Sequence, residues 1–195
     1  MDGSTVYFDI ETTGLDRKDG SIISIAASCN GQLFSSLVKP TDPIPTESTR
    51  IHGLTDVDVA DAPTWSVVGP SFLRWVHDTA GKTPTLVAFN GFSFDVPWVV
   101  EKNKSVDAAE FPVFDAVYAA DPLVAARANF SRQEVGGSFR QAALYEWLFG
   151  SSPTAQHTAD GDVKALVRIA EHEKFSKIVA ASRRKLLDVT GAKDK

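Results

Sequence analysis

The sequence contains a single cysteine, Cys29, and no apolar run that approaches the length of a membrane span. One cysteine cannot form an internal disulfide, so the fold does not depend on an oxidising compartment. A membrane-spanning helix needs about 20 consecutive apolar residues, and the first residues lack the pattern of a signal peptide. No group of cysteines and histidines is spaced as in a zinc site. We therefore expect a soluble, intracellular protein, cytoplasmic or nuclear, without a membrane partner.

The sequence also lacks the excess of positive charge that is typical of proteins that coat nucleic acid, since its formal net charge is −5. The charge is uneven, because residues 164–195 hold nine Lys/Arg against four Asp/Glu. Such a basic segment is suited to gripping phosphates, but it is equally typical of a solvated helix face. By length, the 195 residues form one domain with a substantial core.

A buried strand is predicted near the start of the chain, because Val6, Phe8 and Ile10 alternate with more polar residues. Asp9 and Glu11 lie two positions apart, so their side chains share one face of that strand. Two neighbouring carboxylates on an apolar strand repel each other and lose solvation unless a cation lies between them. Mg²⁺ and Mn²⁺ prefer such oxygen ligands. Taken alone, the pair indicates either a metal site or a strand end that exposes two acids to solvent.

The remaining pattern predicts an α/β fold, with a hairpin signal at Asn30-Gly31 and an irregular acidic segment over residues 56–63. The further predicted strands are residues 21–28, 32–38, 85–89 and 111–114. The predicted helices are residues 64–79, the apolar stretch 96–100, residues 139–149, a helix after Asp162, and one basic helix from about Phe175 that frays into a polar tail. Residues 129–138, which include two adjacent glycines, are interpreted as a mobile loop.

Three polar residues at the ends of later elements are candidate companions for the first two acids: Asp95, His157 and Asp162. Four carboxylates and a histidine are the groups that two-metal hydrolysis of a phosphodiester requires. A histidine, with an ordinary pKa of about 6.5, is suited to taking a proton from the attacking water. Asp160 is expected to point away on the same helix, and Asp115 is interpreted as a helix cap rather than a ligand.

Three segments resemble the exonuclease motifs of the DEDDh branch of the DEDD 3′-to-5′ exonucleases. They are Phe-Asp-Ile-Glu-Thr-Thr-Gly-Leu at residues 8–15, Asn-Gly-Phe-Ser-Phe-Asp at 90–95, and His157-x-Ala159-x-x-Asp162. The five-residue step from histidine to aspartate is typical of this branch, and the second and third motifs most resemble TREX-type members. Ile-His-Gly-Leu-Thr at residues 51–55 also resembles a family segment, and the similarity spans about residues 4–171.

The resemblance implies a DnaQ-like exonuclease domain at residues 1–174, an RNase H-like mixed central sheet flanked by helices. Residues 175–195 are expected to form a basic C-terminal helix and tail, packed on this domain or extending from it. The implied activity is release of 5′-mononucleotides from a free 3′ end, with single-stranded DNA expected first and RNA second. Two Mg²⁺ or Mn²⁺ ions would be held by four acids, with His157 as the general base. Those acids are Asp9, Glu11, Asp95 and Asp162.

The resemblance also implies which residues contact the substrate. Leu15 would wedge against the terminal base, and Asn90 would lie near the scissile phosphate. The expected substrate-binding residues are Thr12, Thr13, Gly14, Leu15, His52 and Asn90. Three arginines flank the paired glycines: Arg127, Arg132 and Arg140. Their pattern fits contacts with substrate phosphates and ordinary surface positions equally well.

Two other functions remain open on this fold: a catalytically silent module that binds nucleic-acid ends, and the proofreading exonuclease subunit of a polymerase. Intact acids argue against the first, because a site that has lost its chemistry does not need mutually repelling carboxylates. A homodimer through a sheet edge is a further implication, with residues 32–38 as the candidate edge. The choice between DNA and RNA depends on contacts to the 2′-hydroxyl, which the sequence does not resolve.

Overall fold

A computed structural model describes residues 4–154 and 157–191 of the chain. The strands are β1 Thr5–Thr12, β2 Ile22–Cys29, β3 Gln32–Leu37, β4 Thr85–Val87, β5 Tyr118–Ala120 and β6 Arg184–Lys185. They form one sheet in the order β3-β2-β1-β4-β5-β6. The first three make an antiparallel meander, β1, β4 and β5 run parallel, and β6 is antiparallel to β5. The expected α/β fold with a mixed central sheet is confirmed.

Helices cover both faces of this sheet. They are α1 Thr46–His52, α2 Asp56–Val59, α3 Trp65–Ala80, α4 Asp95–Asn103, α5 Pro122–Asn129, α6 Gln141–Phe149, α7 Ala159–Glu171, α8 Ser176–Ala181 and α9 Leu186–Thr190. One core cluster joins a sheet face to α3, α4 and α9, and a second joins the other face to α5, α6, α7 and α8. None of the helices in the described ranges is both long and apolar enough to cross a membrane.

The central strand β1 has the alternation that the sequence predicted. Val6, Phe8 and Ile10 are buried against the α3–α4 layer. The acids Asp9 and Glu11 lie on the opposite face, on which α7 packs. The period of two along β1 therefore puts Asp9 and Glu11 on the face opposite to its large apolar side chains.

Two sequence predictions of secondary structure are wrong. Residues 111–114 are irregular, because Pro112 has no N–H to contribute to a ladder, and the strand is β5 instead. The expected single basic helix from Phe175 is two short helices separated by β6, in which Arg184 pairs with Ala119. Three helices were also not predicted: α1, α5, and the short α2 within the segment expected to be irregular.

Candidate active site

The site lies where β1 separates from β4. The two strands pair from Thr5 to Tyr7, and further along β1 the N–H of Ile10 donates instead to Asp95 Oδ1 at 3.2 Å. Asp95 is the first residue of α4 and is only 2% exposed. A crevice at the carboxyl ends of parallel strands is the usual ligand position in open α/β sheets. Here the inserted carboxylate replaces a strand as the partner of β1.

Three further acids of the predicted set come together beside this crevice. One carboxylate oxygen each from Asp9, Glu11 and Asp162 lie within 4.8 Å of one another. Asp9 and Glu11 project from β1, and Asp162 lies in the first turn of α7. The Nε2 amide of Gln141, the first residue of α6, donates to the backbone oxygen of Asp162 at 2.7 Å. This bond ties the start of α6 to the acid cluster.

Burial and mutual repulsion make these carboxyls weak acids. Burial, followed by repulsion from Asp162 and Asp95, raises the pKa of Glu11 to about 8. Burial also raises the pKa of Asp95 to about 7, against the opposing effect of its backbone hydrogen bonds. The pKa of Asp9 is well above its usual value for the same reasons, desolvation first and then the neighbouring acids.

The donor set fits a hard divalent cation. Carboxylate oxygens are the ligands that Mg²⁺ and Mn²⁺ prefer, and a cation between them relieves both the repulsion and the cost of burial. The oxygen spacing of Asp9, Glu11 and Asp162 brings all three within reach of one ion. Asp95 is outside this trio of oxygens but close enough to raise the pKa of Asp9. Together these four acids are able to hold the metal that the sequence implied.

His157 is held against the acids by its backbone. Its φ of 60° lies in the left-handed region, and its N–H donates to Asp162 Oδ2 at 3.0 Å. The residue is exposed and lines the cavities on both sides of the acids. Burial raises the pKa of Asp162, whereas the nearby His157 opposes that rise. The imidazole is therefore placed at the solvent side of the acid cluster.

Asp121 is a site residue that the sequence reasoning missed. It is fully buried, and its carboxylate accepts N–H bonds from Asn90 at 3.1 Å, Phe92 at 3.2 Å and Leu123 at 2.9 Å. It thereby fixes the turn between β4 and α4 that delivers Asp95. The available signal was Asp121 followed by Pro122, because an aspartate before proline is typical of a helix N-cap and first turn.

The turn itself depends on its own residues. Asn90 has a φ of 60°, which asparagine tolerates better than most residues. A Cβ on Gly91 would lie 2.6 Å from the Cβ of Ala88, so no larger residue fits without moving the backbone. Asn90 lines the same cavity as Asp9 and Asp162, which places it beside the acids.

The other predicted substrate residues surround the end of β1. Thr12 Oγ1 donates to the Gly14 oxygen at 2.6 Å, and Ser48 Oγ of α1 donates to the Thr13 oxygen at 2.8 Å. Gly14 does not have a positive φ, so this turn does not need the conformational freedom of glycine. Leu15 is 88% exposed, which leaves its side chain free to contact a ligand.

His52, at the end of α1, has a buried nitrogen without a partner. Its Nδ1 accepts the N–H of Leu54 at 3.1 Å, so the ring proton is on Nε2 when the ring is neutral. Burial lowers the pKa of His52, which favours that neutral form. Nε2 is buried and has no hydrogen bond to any described residue. His52 lines a cavity of about 200 Å³ together with Glu11 and His157.

The opposite side of the acids opens into a larger cavity of about 840 Å³. Its lining runs from Asp9 and His157 to the three candidate arginines Arg127, Arg132 and Arg140. Asp160, which was expected to point away from the acids, accepts a hydrogen bond from Ser35 Oγ of β3 at 3.1 Å. Asp115 is exposed and caps none of the described helices, so its expected capping role is not observed.

Comparisons with known proteins agree with this geometry. A family model described as Exonuclease (RNase T) matches residues 6–170. A DNA polymerase III subunit epsilon-like protein of Rhodobacter capsulatus is 32% identical over 197 residues, which cover 96% of this chain and 25% of that protein. Exonuclease DPD1 of Arabidopsis thaliana is 36% identical over 107 residues, 51% of this chain and 34% of that protein.

Among solved structures, Escherichia coli exonuclease I in complex with a dT13 oligonucleotide matches with a TM-score of 0.68 and 17% identity, over 86% of this chain and 40% of that chain. This likeness confirms the expected RNase H-like fold. The chain spans a quarter of the Rhodobacter relative and about a third of the Arabidopsis one. Since the family model covers most of the chain and the DEDDh motif residues converge in one crevice, the chain belongs to the DnaQ-like, DEDDh exonuclease family.

Proposed function

We propose that this chain is a metal-dependent 3′-to-5′ exonuclease that hydrolyses the terminal phosphodiester bond of a nucleic-acid strand and releases 5′-mononucleotides. The observation that carries the proposal is the trio of carboxylate oxygens within 4.8 Å on Asp9, Glu11 and Asp162, with His157 beside them. A silent end-binding module has no use for acids whose pKa values are raised this far. An intracellular location, cytoplasmic or nuclear, is part of this proposal.

Asp9, Glu11, Asp95 and Asp162 would hold two Mg²⁺ or Mn²⁺ ions. When bound, such ions supply positive charge that offsets the charge of the transition state and lower the pKa of an attacking water. The chain itself supplies the fixed positions: Asp95 is held by the Ile10 N–H, and the backbone of Asp162 by Gln141. Preorganised ligands of this kind avoid reorganisation during the reaction.

His157 is the general base in this proposal. Its ring lies at the solvent side of the acids, where an attacking water has access. The hydrogen bond from the His157 N–H to Asp162 Oδ2 holds the backbone of His157 beside the carboxylates. A neutral imidazole is able to accept the proton of that water, the role that histidine most often takes in general acid–base catalysis.

The smaller cavity is the site of the terminal nucleotide in this proposal. An oxygen of that nucleotide would accept the hydrogen bond of His52 Nε2, a buried donor that otherwise costs about 1–3 kcal/mol. Leu15 would pack on the terminal base, and the turn from Thr12 to Gly14 would contact its sugar through backbone groups. Asn90 lies on the other side of the acids, the direction of the scissile phosphate.

Single-stranded DNA is the proposed substrate, because exonuclease I, which shares the fold, is described in a complex with single-stranded DNA. Residues 1–174 are the proposed exonuclease domain, with residues 175–191 packed on it; the expected polar tail at 192–195 lies outside the described residues. The burial of Phe175 and the pairing of β6 support that packing. A homodimer through β3 is supported by the apolar side chains of Leu33 and Leu37, 66% and 38% exposed on this edge strand.

A second candidate is an exonuclease that acts as a subunit of a DNA polymerase. It is favoured by relatives named DNA polymerase III subunit epsilon, such as that of Rickettsia felis, 28% identical over 132 residues. The chemistry is the same, so the two candidates differ in whether a polymerase binds the chain. Faster removal of a mispaired 3′ end in the presence of a bacterial DNA polymerase would favour this second candidate.

The test is digestion of oligonucleotides labelled at the 5′ or the 3′ end, as single strand and duplex, DNA and RNA, with Mg²⁺, Mn²⁺ or EDTA. The expected result is a ladder from the 5′-labelled strand and immediate release of the labelled mononucleotide from the 3′-labelled strand, both absent in EDTA. Retention of oligonucleotide without any nucleotide release, with or without metal, would contradict the proposal and indicate an end-binding module.

A further inference from the structure

The cavity of about 840 Å³ is lined by groups of opposite charge. They are the carboxylates of Asp9 and Asp162 and three arginines, Arg127, Arg132 and Arg140. The arginines come from three successive pieces of chain: the last turn of α5, the connection from α5 to α6, and the residue before α6. In a chain with a net charge of −5, three neighbouring guanidinium groups are a local exception.

Within residues 4–154 and 157–191, no acidic side chain forms an ion pair with these three arginines. All three residues are exposed, and no ion pair, side-chain hydrogen bond or ring contact joins their guanidinium groups to any residue in the described ranges. Other arginines differ: Arg183 lies 3.6 Å from the ring centre of Tyr118, and Arg168 lies 4.1 Å from that of Phe149. Unpaired positive charges around a cavity attract an anionic ligand.

The backbone that carries these arginines is anchored. Val135, in the middle of the connection, is 1% exposed and belongs to the second core cluster. The N–H of Gly137 donates to the Arg132 oxygen at 2.8 Å, with Gly137 at a φ of 93° that favours glycine. Gln141, next to Arg140, donates to the Asp162 backbone oxygen at 2.7 Å. The arginine positions are therefore fixed relative to the acids.

Two aromatic side chains complete the cavity. Phe89, at the end of β4, and Phe139, next to Arg140, both line it and are only partly buried. Basic side chains that follow a phosphate backbone, combined with aromatic rings that stack on bases, are typical of sites for single-stranded nucleic acid. Stacking on these rings requires unpaired bases, which a duplex does not offer.

We propose that the strand upstream of the scissile bond lies in this cavity as a single strand, with its phosphates on Arg127, Arg132 and Arg140 and its bases against Phe89 and Phe139. This inference rests on the proposed exonuclease function and adds the strand's path to it. The strand leaves the acids towards α5 and α6, away from the smaller cavity that holds the terminal nucleotide. Affinity therefore grows with each upstream phosphate until the three arginines are occupied.

The test compares the wild type with the triple variant R127A/R132A/R140A on single-stranded oligonucleotides from a dinucleotide to about ten nucleotides. The KM of the variant should exceed that of the wild type by about tenfold or more on the longest strand, and by progressively less on shorter ones. The dependence of affinity on salt should weaken as well, with a slope of log K against log salt smaller by about 2 for three lost phosphate contacts.

The control is R74A, which removes one positive charge from α3 on the other side of the sheet, where Arg74 lies 3.7 Å from Glu110. R74A should leave KM and salt dependence as in the wild type. A KM increase in the triple variant that is independent of strand length, or one that R74A reproduces, would overturn the inference.

A binding measurement separates this inference from the proposed function. Fluorescence anisotropy of a labelled ten-nucleotide strand in EDTA reports affinity without hydrolysis. If the wild type hydrolyses nothing but binds the strand more tightly than the triple variant, the exonuclease proposal fails and the arginine path holds. If hydrolysis proceeds and both proteins bind equally, the arginine path fails and the exonuclease proposal holds.

Discussion

Two sets of carboxylates have different environments. Asp121 is fully buried, and burial raises its pKa, but its carboxylate accepts hydrogen bonds from three separate N–H groups within 3.2 Å, which oppose that rise. The half-buried carboxylates of Asp9, Glu11 and Asp162 lie close to one another; desolvation raises their pKa values, and repulsion from neighbouring acids adds to the rise at Asp9 and Glu11. A buried charge that the protein satisfies is structural, whereas a set that it leaves in mutual repulsion requires a ligand from outside.

The largest loss of activity is expected from Asp162→Asn, which removes one of the mutually repelling carboxylate charges. The rate of nucleotide release should fall by about 10²–10³-fold or more, the range for the loss of one preorganised charge-stabilising group. The unfolding temperature in EDTA should be unchanged or higher, because one buried charge has gone. Initial rates with Mg²⁺ and thermal melts in EDTA measure the two quantities. Wild-type turnover by this variant would refute the metal assignment.

His157→Ala tests the role of the imidazole beside the acid cluster. The rate should fall by about 10²-fold or more, since a general base contributes about 10²–10⁴-fold. Cation binding should persist, because the four acids are intact. Calorimetric titration with Mn²⁺ alongside the rate measurement separates the two roles. His77→Ala, on the far end of α3, is the matched control. Unchanged turnover in His157→Ala would exclude the residue as the base.

Asp121→Ala removes the buried carboxylate that accepts hydrogen bonds from backbone N–H groups. Four backbone N–H groups, those of Asn90, Phe92, Leu123 and Val124, lose an acceptor in a buried turn. The free energy of unfolding should fall by about 2–4 kcal/mol, and activity should fall with it because Asp95 is no longer fixed. Urea denaturation measures the change, with the exposed Asp115→Ala as control. A loss of activity at unchanged stability would show that Asp121 acts in the chemistry instead.

A change of pH in the absence of metal is expected to have a smaller effect, on the stability of the folded state. The pKa of Glu11 rises from an ordinary 4.5 to about 8 and that of Asp95 from 3.8 to about 7 in the folded chain. The folded state therefore binds more protons than the unfolded state between about pH 4 and pH 8, and stability falls as pH rises through that window.

Thermal melts in EDTA measure this dependence. The unfolding temperature at about pH 8.5 should be lower than at about pH 5.5 by roughly 5 °C or more. Added Mg²⁺ should restore most of the loss at the higher pH, because it binds the ionised acids. Glu11→Gln should flatten the pH dependence. A melting temperature that does not vary with pH would mean that the acids are solvated rather than buried.

The site was largely predictable because its residues follow local rules. The period of two along β1 placed Asp9 and Glu11 on one face, and the short step from His157 to Asp162 placed both at one helix start. Asp121 before Pro122 indicated at most a helix N-cap; its link to the site was not predicted, because the N–H groups of Asn90 and Phe92 come from a turn some 30 residues earlier in the chain. Whether a carboxylate is satisfied depends on tertiary contacts, which no local pattern encodes.

The fold was predicted where elements are long and periodic. The three-stranded meander, α3 and α6 agree with their predicted ranges to within a few residues. The misassigned segments are short and depend on their neighbours: β5 has three residues and β6 has two, and each is a strand only because it pairs with another. In the Arg184 region the charge pattern indicated a helix face, and pairing with β5 overrode it.

The bond between Asp95 and the Ile10 N–H has a consequence for how this sequence diverges. Asp95 closes a gap in the hydrogen bonding of the sheet as well as serving the acid cluster. A descendant that lost its catalytic role would be free to replace Glu11, whose carboxylate accepts no hydrogen bond from any residue in the described ranges. The same descendant would retain an acceptor at position 95, as aspartate or asparagine, to keep its central strand paired. In a relative that keeps the fold but has lost the activity, we therefore expect substitution of the acid at position 11. We expect position 95 to remain aspartate or asparagine.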